Sequence, residues 1–234
     1  MNYILTKMNI VESKPKRVPK ILKHYYDADD GSTEIGVDEV GRGPMLGRVY
    51  SAAVVLPKDD SFNHVLMKDS KRFSSKRKII EAYDCIKENC IAWNVGYASE
   101  SVIDDINIRN ATHRAMHEAI KGIIKPGIEY HLLVDGNDFR PYTVMNEDIG
   151  IVQIPTTCIE GGDDKYTAIA AASIIAKVTR DKYIEELCDV YPELDENYGI
   201  LRNKGYGTKI HMDGILAYGI TKFHRKTFGI CRQF

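Results

Sequence analysis

An apolar run that ends in two adjacent carboxylates and then turns through a glycine–arginine–glycine loop constrains this chain more than any other feature. The segment reads Val37-Asp38-Glu39-Val40-Gly41-Arg42-Gly43-Pro44. In a strand, Ile35 and Val37 share one face and Asp38 takes the other. Glu39 then falls opposite Asp38 unless the strand ends there and the loop re-aims it. An acid pair at a sheet centre is costly without partners. The glycines let backbone N–H groups come close to a phosphate, and Arg42 adds fixed positive charge. Carboxylates beside a phosphate-seeking loop call for a divalent cation between them, so the segment points to metal-assisted phosphodiester chemistry.

The bulk numbers fit such an enzyme. The chain has 234 residues, 44% of them hydrophobic, enough for one large domain or a domain with a small appendage. No apolar run approaches the ~20 residues that span a bilayer, and no secretory segment follows Met1. Cys85, Cys90, Cys158, Cys188 and Cys231 are odd in number and lack a Cys-x-x-Cys pair. Reduced thiols in a cytoplasmic setting are expected, rather than a disulfide framework or zinc knuckle. The net charge is only -1, but it is unevenly distributed. Lys68, Lys71, Arg72, Lys76, Arg77 and Lys78 cluster, and from Leu201 to Phe234 many bases accompany the lone acid Asp213. Such runs are usually solvated faces; beside a metal site they suit an anion channel.

Residues 1–33 read as a basic, flexible extension, with Lys14, Lys16, Arg17, Lys20 and Lys23 among Pro15 and Pro19. Residues 34–234 read as one catalytic domain. Strands are expected over 34–38 and 47–56, joined as a hairpin, then over 91–98, 129–135 and 150–155. Helices are expected over 74–88, capped by Ser74 or Ser75, and over 101–122, broken near Asn107. A long Ala-rich helix is expected over 163–190, and a last one over 210–218 closed by Gly219. Hairpin strands followed by alternating helix and strand give a mixed α/β layer fold.

Acids stand at structural boundaries: Asp38 and Glu39, Asp135 after Leu132-Leu133-Val134, and Asp163 at the start of the Ala-rich helix. Converging carboxylates repel and acquire raised pKa values unless cations neutralise them. Each acid also has a plainer reading. Taken alone, Asp163 or Asp164 is better explained as a helix cap, and Asp135-Gly136-Asn137 serves equally as a turn. The Ala170–Ser173 run is either helix propensity or a close helix–sheet approach. His113 and His117 share a helix face without a zinc motif, so packing is expected of them. His224 with Arg225 and Lys226 is expected to fix the C-terminal segment rather than touch phosphate.

At this point the residues resemble one family. Gly36 to Pro44 is similar to the opening signature of ribonuclease HII, the type 2 ribonuclease H. Further matches follow in family order: Asp69-Ser70-Lys71; Asn107-Ile108 with Ala111-Thr112; Val134 to Asn137; Gly162-Asp163 with Ile169 to Ser173; Ala176-Lys177-Val178 with Arg180-Asp181; Gly205-Tyr206 with Thr208; His211; and His224-Arg225. The resemblance implies an RNase H-like fold, a mixed five-stranded sheet flanked by helices with a helical C-terminal part. It implies cleavage of RNA in RNA–DNA hybrids and incision 5′ to single ribonucleotides in duplex DNA, leaving 3′-hydroxyl and 5′-phosphate ends. Its metal-binding acids fall on Asp38, Glu39, Asp135 and Asp163, holding two Mg²⁺ or Mn²⁺ ions. Its ribonucleotide-sensing residues fall on Gly41, Arg42, Gly43 and Tyr206, with Lys71, Asn107 and Arg180 as further substrate contacts. It implies a role in removing ribonucleotides and RNA primers, and action as a monomer.

The chain departs from the family pattern in places. Arg48 stands where the family usually has proline, and Gly161 where lysine is common. The C-terminal Ile230 to Phe234 lacks a clear sliding-clamp peptide. Two other classes compete with the enzyme reading. A binding protein that lost activity is disfavoured because every expected carboxylate is present. A two-metal nuclease for DNA alone is disfavoured by the Gly-Arg-Gly loop with Tyr206.

Overall fold

The computed structural model describes residues 21–27, 31–59, 61–147 and 149–234. The remaining residues, including most of the basic extension, lie outside the described residues.

The core is a five-stranded sheet. Strands β1 (Thr33–Val40), β2 (Val49–Val55) and β3 (Ala92–Ala98) form an antiparallel meander. Strands β4 (Tyr130–Asp135) and β7 (Thr156–Ile159) continue it in parallel, in the order β3-β2-β1-β4-β7. A separate hairpin pairs β5 (Thr143–Asn146) with β6 (Gly150–Gln153). The strand expected over 150–155 therefore belongs to this hairpin, and β7 is the fifth member of the main sheet.

Helices cover both faces. Helix α1 (Lys76–Asn89) starts at Ser75, whose side chain accepts from Lys78 N. Helix α2 (Glu100–Lys121) is capped by Ser99 and breaks at Asn107, where φ is 66°. The Asn107 side chain accepts from Asn110 N and so caps the second half. Met116, Ala119 and Ile120 of α2 pack on Val37, Ala53, Val55 and Val134. Helix α3 (Thr167–Val190) covers the opposite face through Ala170, Ala171, Ala172 and Ile174. It begins at Thr167, not at Asp163 as expected. Asp163 sits in a separate 3-10 turn, Gly162–Asp164, and does not cap α3. Short helices α4 (Glu193–Tyr198) and α5 (Ile200–Asn203) and helix α6 (Lys209–Tyr218) wrap the end of α3 around Leu46, Ile184, Tyr198 and Ile215.

The Ala-rich run of α3 serves close approach. A Cβ on Gly36 would lie 2.2 Å from the carbonyl carbon of Ala168. On the other face, a Cβ on Gly96 would lie 2.1 Å from Ala115 O. Both helices thus press on the sheet where β1 and β3 have no side chain.

One stretch of the expected flexible extension is fastened to the body. Lys23 N donates to Lys165 O and Thr167 N donates to Lys23 O, each at 2.9 Å. Leu22 is buried in the α3-side core, and Tyr26 N donates to Glu34 Oε2 at 2.9 Å. The cysteines are free, and no helix among the described residues is long and apolar enough to cross a membrane.

Candidate active site

Parallel pairing of β1 with β4 brings the first acids together. Val37 pairs with Val134, so the next step along both strands sets Asp38 beside Asp135. Strand β7 then pairs Asp135 with Ile159 and leads through Gly161 into the turn that carries Asp163. Gly162 N donates to Asp135 Oδ1 at 2.6 Å, tying that turn to the end of β4. Asp38 lies on the α3 side, where Ser173 bonds its carboxyl. Ser70 Oγ and Ser173 Oγ are 3.0 Å apart. Glu39 stays on the α2 side, lining a cavity of about 160 Å³ with Arg42, Arg109, Thr112 and Asp135.

The acids strain one another. Burial, then Glu39 and Asp135, push the Asp38 carboxyl well above the usual carboxylate range. Glu39 is raised by burial, against the pull of the Arg42 guanidinium 3.5 Å away, and further by Asp135. Asp163 is raised by burial, then by Asp135 and Asp69, with Lys71 opposing. Like charges drawn to one sheet edge are what a divalent cation relieves. Among the described residues, no group of three acid, histidine or cysteine side chains lies close enough to hold a metal ion by itself. Mg²⁺ takes one or two carboxylates and completes its shell with waters and substrate phosphate oxygens. The donor set is all oxygen and fits Mg²⁺ or Mn²⁺.

The Gly-Arg-Gly loop follows directly. Gly41 has φ 90°, open to glycine alone without strain. Arg42 and Gly43 are exposed, and a Cβ on Gly43 would touch the Tyr206 ring at 3.4 Å. Met45 N donates to Gly205 O, and Arg225 N donates to Met45 O, each at 2.8 Å. The C-terminal segment thereby grips the far side of the loop. His224 Nδ1 accepts from Thr221 N at 2.9 Å, so its proton sits on Nε2. Nε2–H then faces His211 Nε2 at 3.1 Å, and His211 Nδ1–H donates to Tyr206 O at 3.0 Å. Both histidines are structural, as expected of His224, and their chain ends on the main chain of Tyr206.

Other expected contacts divide. Lys71 is exposed close to Asp163. Asn107 is exposed but its side-chain oxygen is engaged within α2. Arg180 departs from its expected role as a substrate contact. It is 1% exposed and donates to Lys204 O at 2.9 Å, Arg48 O at 3.3 Å and Leu46 O at 3.4 Å. Its charge is spent on main-chain carbonyls of the segment before β2 and of the end of α5. His113 and His117 bond Asp138 O and Arg140 O rather than any shared ligand. Sequence reasoning missed the Arg109–Asp138 pair, with Nε to Oδ2 at 2.6 Å and Nη2 to Oδ1 at 2.7 Å. The spacing of 29 residues leaves no local signal for it. A roomier cavity, about 830 Å³, lies elsewhere, between the β5–β6 hairpin and the start of β4. The acid cluster, not cavity size, marks the candidate site.

A sheet of this order with acids gathered at the ends of its parallel strands defines an RNase H-like nuclease. The comparisons with known proteins agree. The family model described as Ribonuclease HII matches residues 35–231. A ribonuclease HII of Parabacteroides distasonis is 45% identical over 201 residues, covering 86% of this chain and 92% of that protein. One from Bacteroides thetaiotaomicron is 43% identical over 198 residues, covering 84% and 90%. The RNase HII in a PCNA complex from Archaeoglobus fulgidus superposes with a TM-score of 0.65 at 23% identity, covering 85% of this chain and 96% of that one. The ribonuclease H2 of Pyrococcus horikoshii gives 0.62 at 23% identity, covering 86% and 96%. The chain belongs to the ribonuclease HII family. It is an enzyme of that class, a ribonuclease H whose substrate is RNA in RNA–DNA hybrids.

Proposed function

We propose that this protein cuts RNA strands within RNA–DNA hybrids and also incises duplex DNA on the 5′ side of a single embedded ribonucleotide. Asp38, Glu39, Asp135 and Asp163 would hold two Mg²⁺ or Mn²⁺ ions. Bound there, the ions would supply activation of the attacking water and stabilisation of the departing 3′ oxygen in an in-line displacement at phosphorus. The products carry 3′-hydroxyl and 5′-phosphate ends.

The carboxylates position the ions through the sheet. Strand register sets Asp38 beside Asp135, and the Gly162 amide holds the Asp163 turn against Asp135. The amides of the Gly41–Arg42–Gly43 loop, exposed at Arg42 and Gly43, bond the 2′-hydroxyl, the group that separates RNA from DNA. Tyr206, held against Gly43, stacks on the neighbouring deoxyribose. Lys71 and the other exposed bases grip phosphates without reading sequence. The enzyme works as a monomer in the cytoplasm, where its free thiols stay reduced. There it removes ribonucleotides and RNA primers from DNA.

The observation that carries this reading is the convergence of Asp38, Glu39 and the Asp163 turn on Asp135, through the β1–β4 register and the Gly162–Asp135 bond. The test is product analysis on a long RNA–DNA hybrid, a duplex RNA and a duplex DNA of one sequence. Cleavage of the hybrid alone, with 5′-phosphate ends and dependence on added Mg²⁺ or Mn²⁺, is expected. Equal cleavage of duplex DNA would indicate a general nuclease. Binding without cleavage at any metal concentration would indicate a binding protein.

A further inference from the structure

Arg225 is completely buried yet does not touch the acid cluster. Its Nη2 donates to Gly41 O at 2.6 Å, its Nη1 to Arg42 O at 2.9 Å and its Nε to Gly47 O at 2.9 Å. The Phe228 ring lies against the guanidinium, 4.9 Å from its centre. Charge balance comes at a distance from Glu100 and Asp104, while Arg180 nearby opposes it. A buried guanidinium spent on carbonyls is expensive, and burial pulls its pKa down to about 9.

We infer that Arg225 is a positioning residue for ribonucleotide recognition: by holding the carbonyls of Gly41 and Arg42 inward, it turns the amides of Arg42 and Gly43 outward as a paired donor for the 2′-hydroxyl. The inference rests on the proposed 2′-hydroxyl reading of this loop. It follows from peptide geometry. No cis peptide occurs among the described residues, and in a trans peptide the C=O and the following N–H point opposite ways. Fixing Gly41 O below the surface therefore aims Arg42 N–H out of it, and fixing Arg42 O aims Gly43 N–H. Neither amide enters a backbone hydrogen bond among the described residues, and both residues are exposed. Successive outward amides form an anion- and hydroxyl-binding concavity. A charge-assisted bond on each carbonyl also polarises its peptide, which makes the N–H a better donor.

Arg180 supports the arrangement from the side. A Cβ on Gly41 would lie 2.4 Å from Arg180 Nε, so the loop's first glycine is required by the arginine beneath it as well as by its φ. Lysine cannot replace Arg225, because one ammonium cannot span three carbonyls in a planar fork.

The test uses the full chain. KM and kcat are measured on a DNA duplex with one ribonucleotide, and the matching all-DNA duplex is titrated as a competitive inhibitor. The ratio of its Ki to KM reports recognition of the 2′-hydroxyl apart from backbone grip. Arg225→Lys is expected to lower this ratio by about tenfold, the scale of a lost hydrogen bond, with the all-DNA Ki unchanged. Loss of melting temperature alone, with the ratio kept, would overturn the inference. Should Arg225→Lys fail to melt cooperatively, Phe228→Leu loosens the guanidinium more gently; a smaller fall in the ratio supports the inference and an unchanged ratio overturns it. A wild-type ratio near one would instead sink the 2′-hydroxyl reading itself.

Discussion

The amide of Gly162 donates to Asp135 Oδ1 at 2.6 Å, and this bond joins two acids that are distant in sequence into one site. It also shows how Asp135 serves two roles, as an acceptor that fixes the Asp163 turn and as a charge that raises its neighbours.

The two roles separate in Asp135→Asn. The amide oxygen still accepts from Gly162, but the charge opposing Asp38, Glu39 and Asp163 is gone. Without metal the variant is expected to melt at or slightly above the wild-type temperature, on a scale of about 2–4 °C per kcal/mol. Added Mn²⁺ stabilises the wild type by mass action, and that rise is expected to vanish in the variant. Thermal melts with chelator and with Mn²⁺ check both. A large drop without metal would show that Asp135 is chiefly structural.

The sheet and helix α3 meet through Gly36, where an added methyl would strike main chain that cannot step aside. Gly36→Ala is expected to cost about 3 kcal/mol or more, the upper range for overpacking. Urea unfolding reads this directly. A midpoint within error of wild type would mean that α3 can withdraw from β1 at little cost.

The His211–His224 pair makes stability depend on pH. Burial lowers both rings, His224 to about 4, from an ordinary value of 6.5. The unfolded chain protonates them near 6.5, while folded His224 resists until about 4. Their contribution is therefore fully present above about 6.5 and is lost as pH falls through that window. For His224 alone the span is worth about 3 kcal/mol at most. Urea midpoints from pH 8 to pH 4 are expected to fall, and His224→Gln is expected to flatten the slope. An equal slope in the variant would assign the acid sensitivity elsewhere.

The parts of the fold that were legible in sequence share a local signal. The β1–β2 hairpin, the Ser75 cap and the break at Asn107 follow from neighbours in the chain. The gathering of Asp38, Glu39, Asp135 and Asp163 was legible because each stands at a boundary. What escaped was non-local. Strand β7 has four residues and is defined by its pairing with β4. Asp163 precedes α3 because the turn answers to Asp135 rather than to the helix. Arg180 resembled a substrate contact because an arginine in a motif looks the same whether its partners are phosphates or carbonyls. Leu22 gave no periodic pattern, yet it packs into the core beside α3.

One measurement bears most directly on the central claim of metal-dependent, 2′-hydroxyl-directed cleavage. An end-labelled DNA duplex carrying one ribonucleotide is incubated with Mg²⁺ beside an all-DNA duplex, with wild type and Asp135→Asn in parallel. A single cut 5′ to the ribonucleotide is expected from wild type, absent with chelator and from the all-DNA duplex. In the variant it is expected to fall by more than about 100-fold, beyond the loss typical of a group that only supports a metal ligand. Equal cutting of both duplexes, or undiminished cutting by Asp135→Asn, would contradict the account.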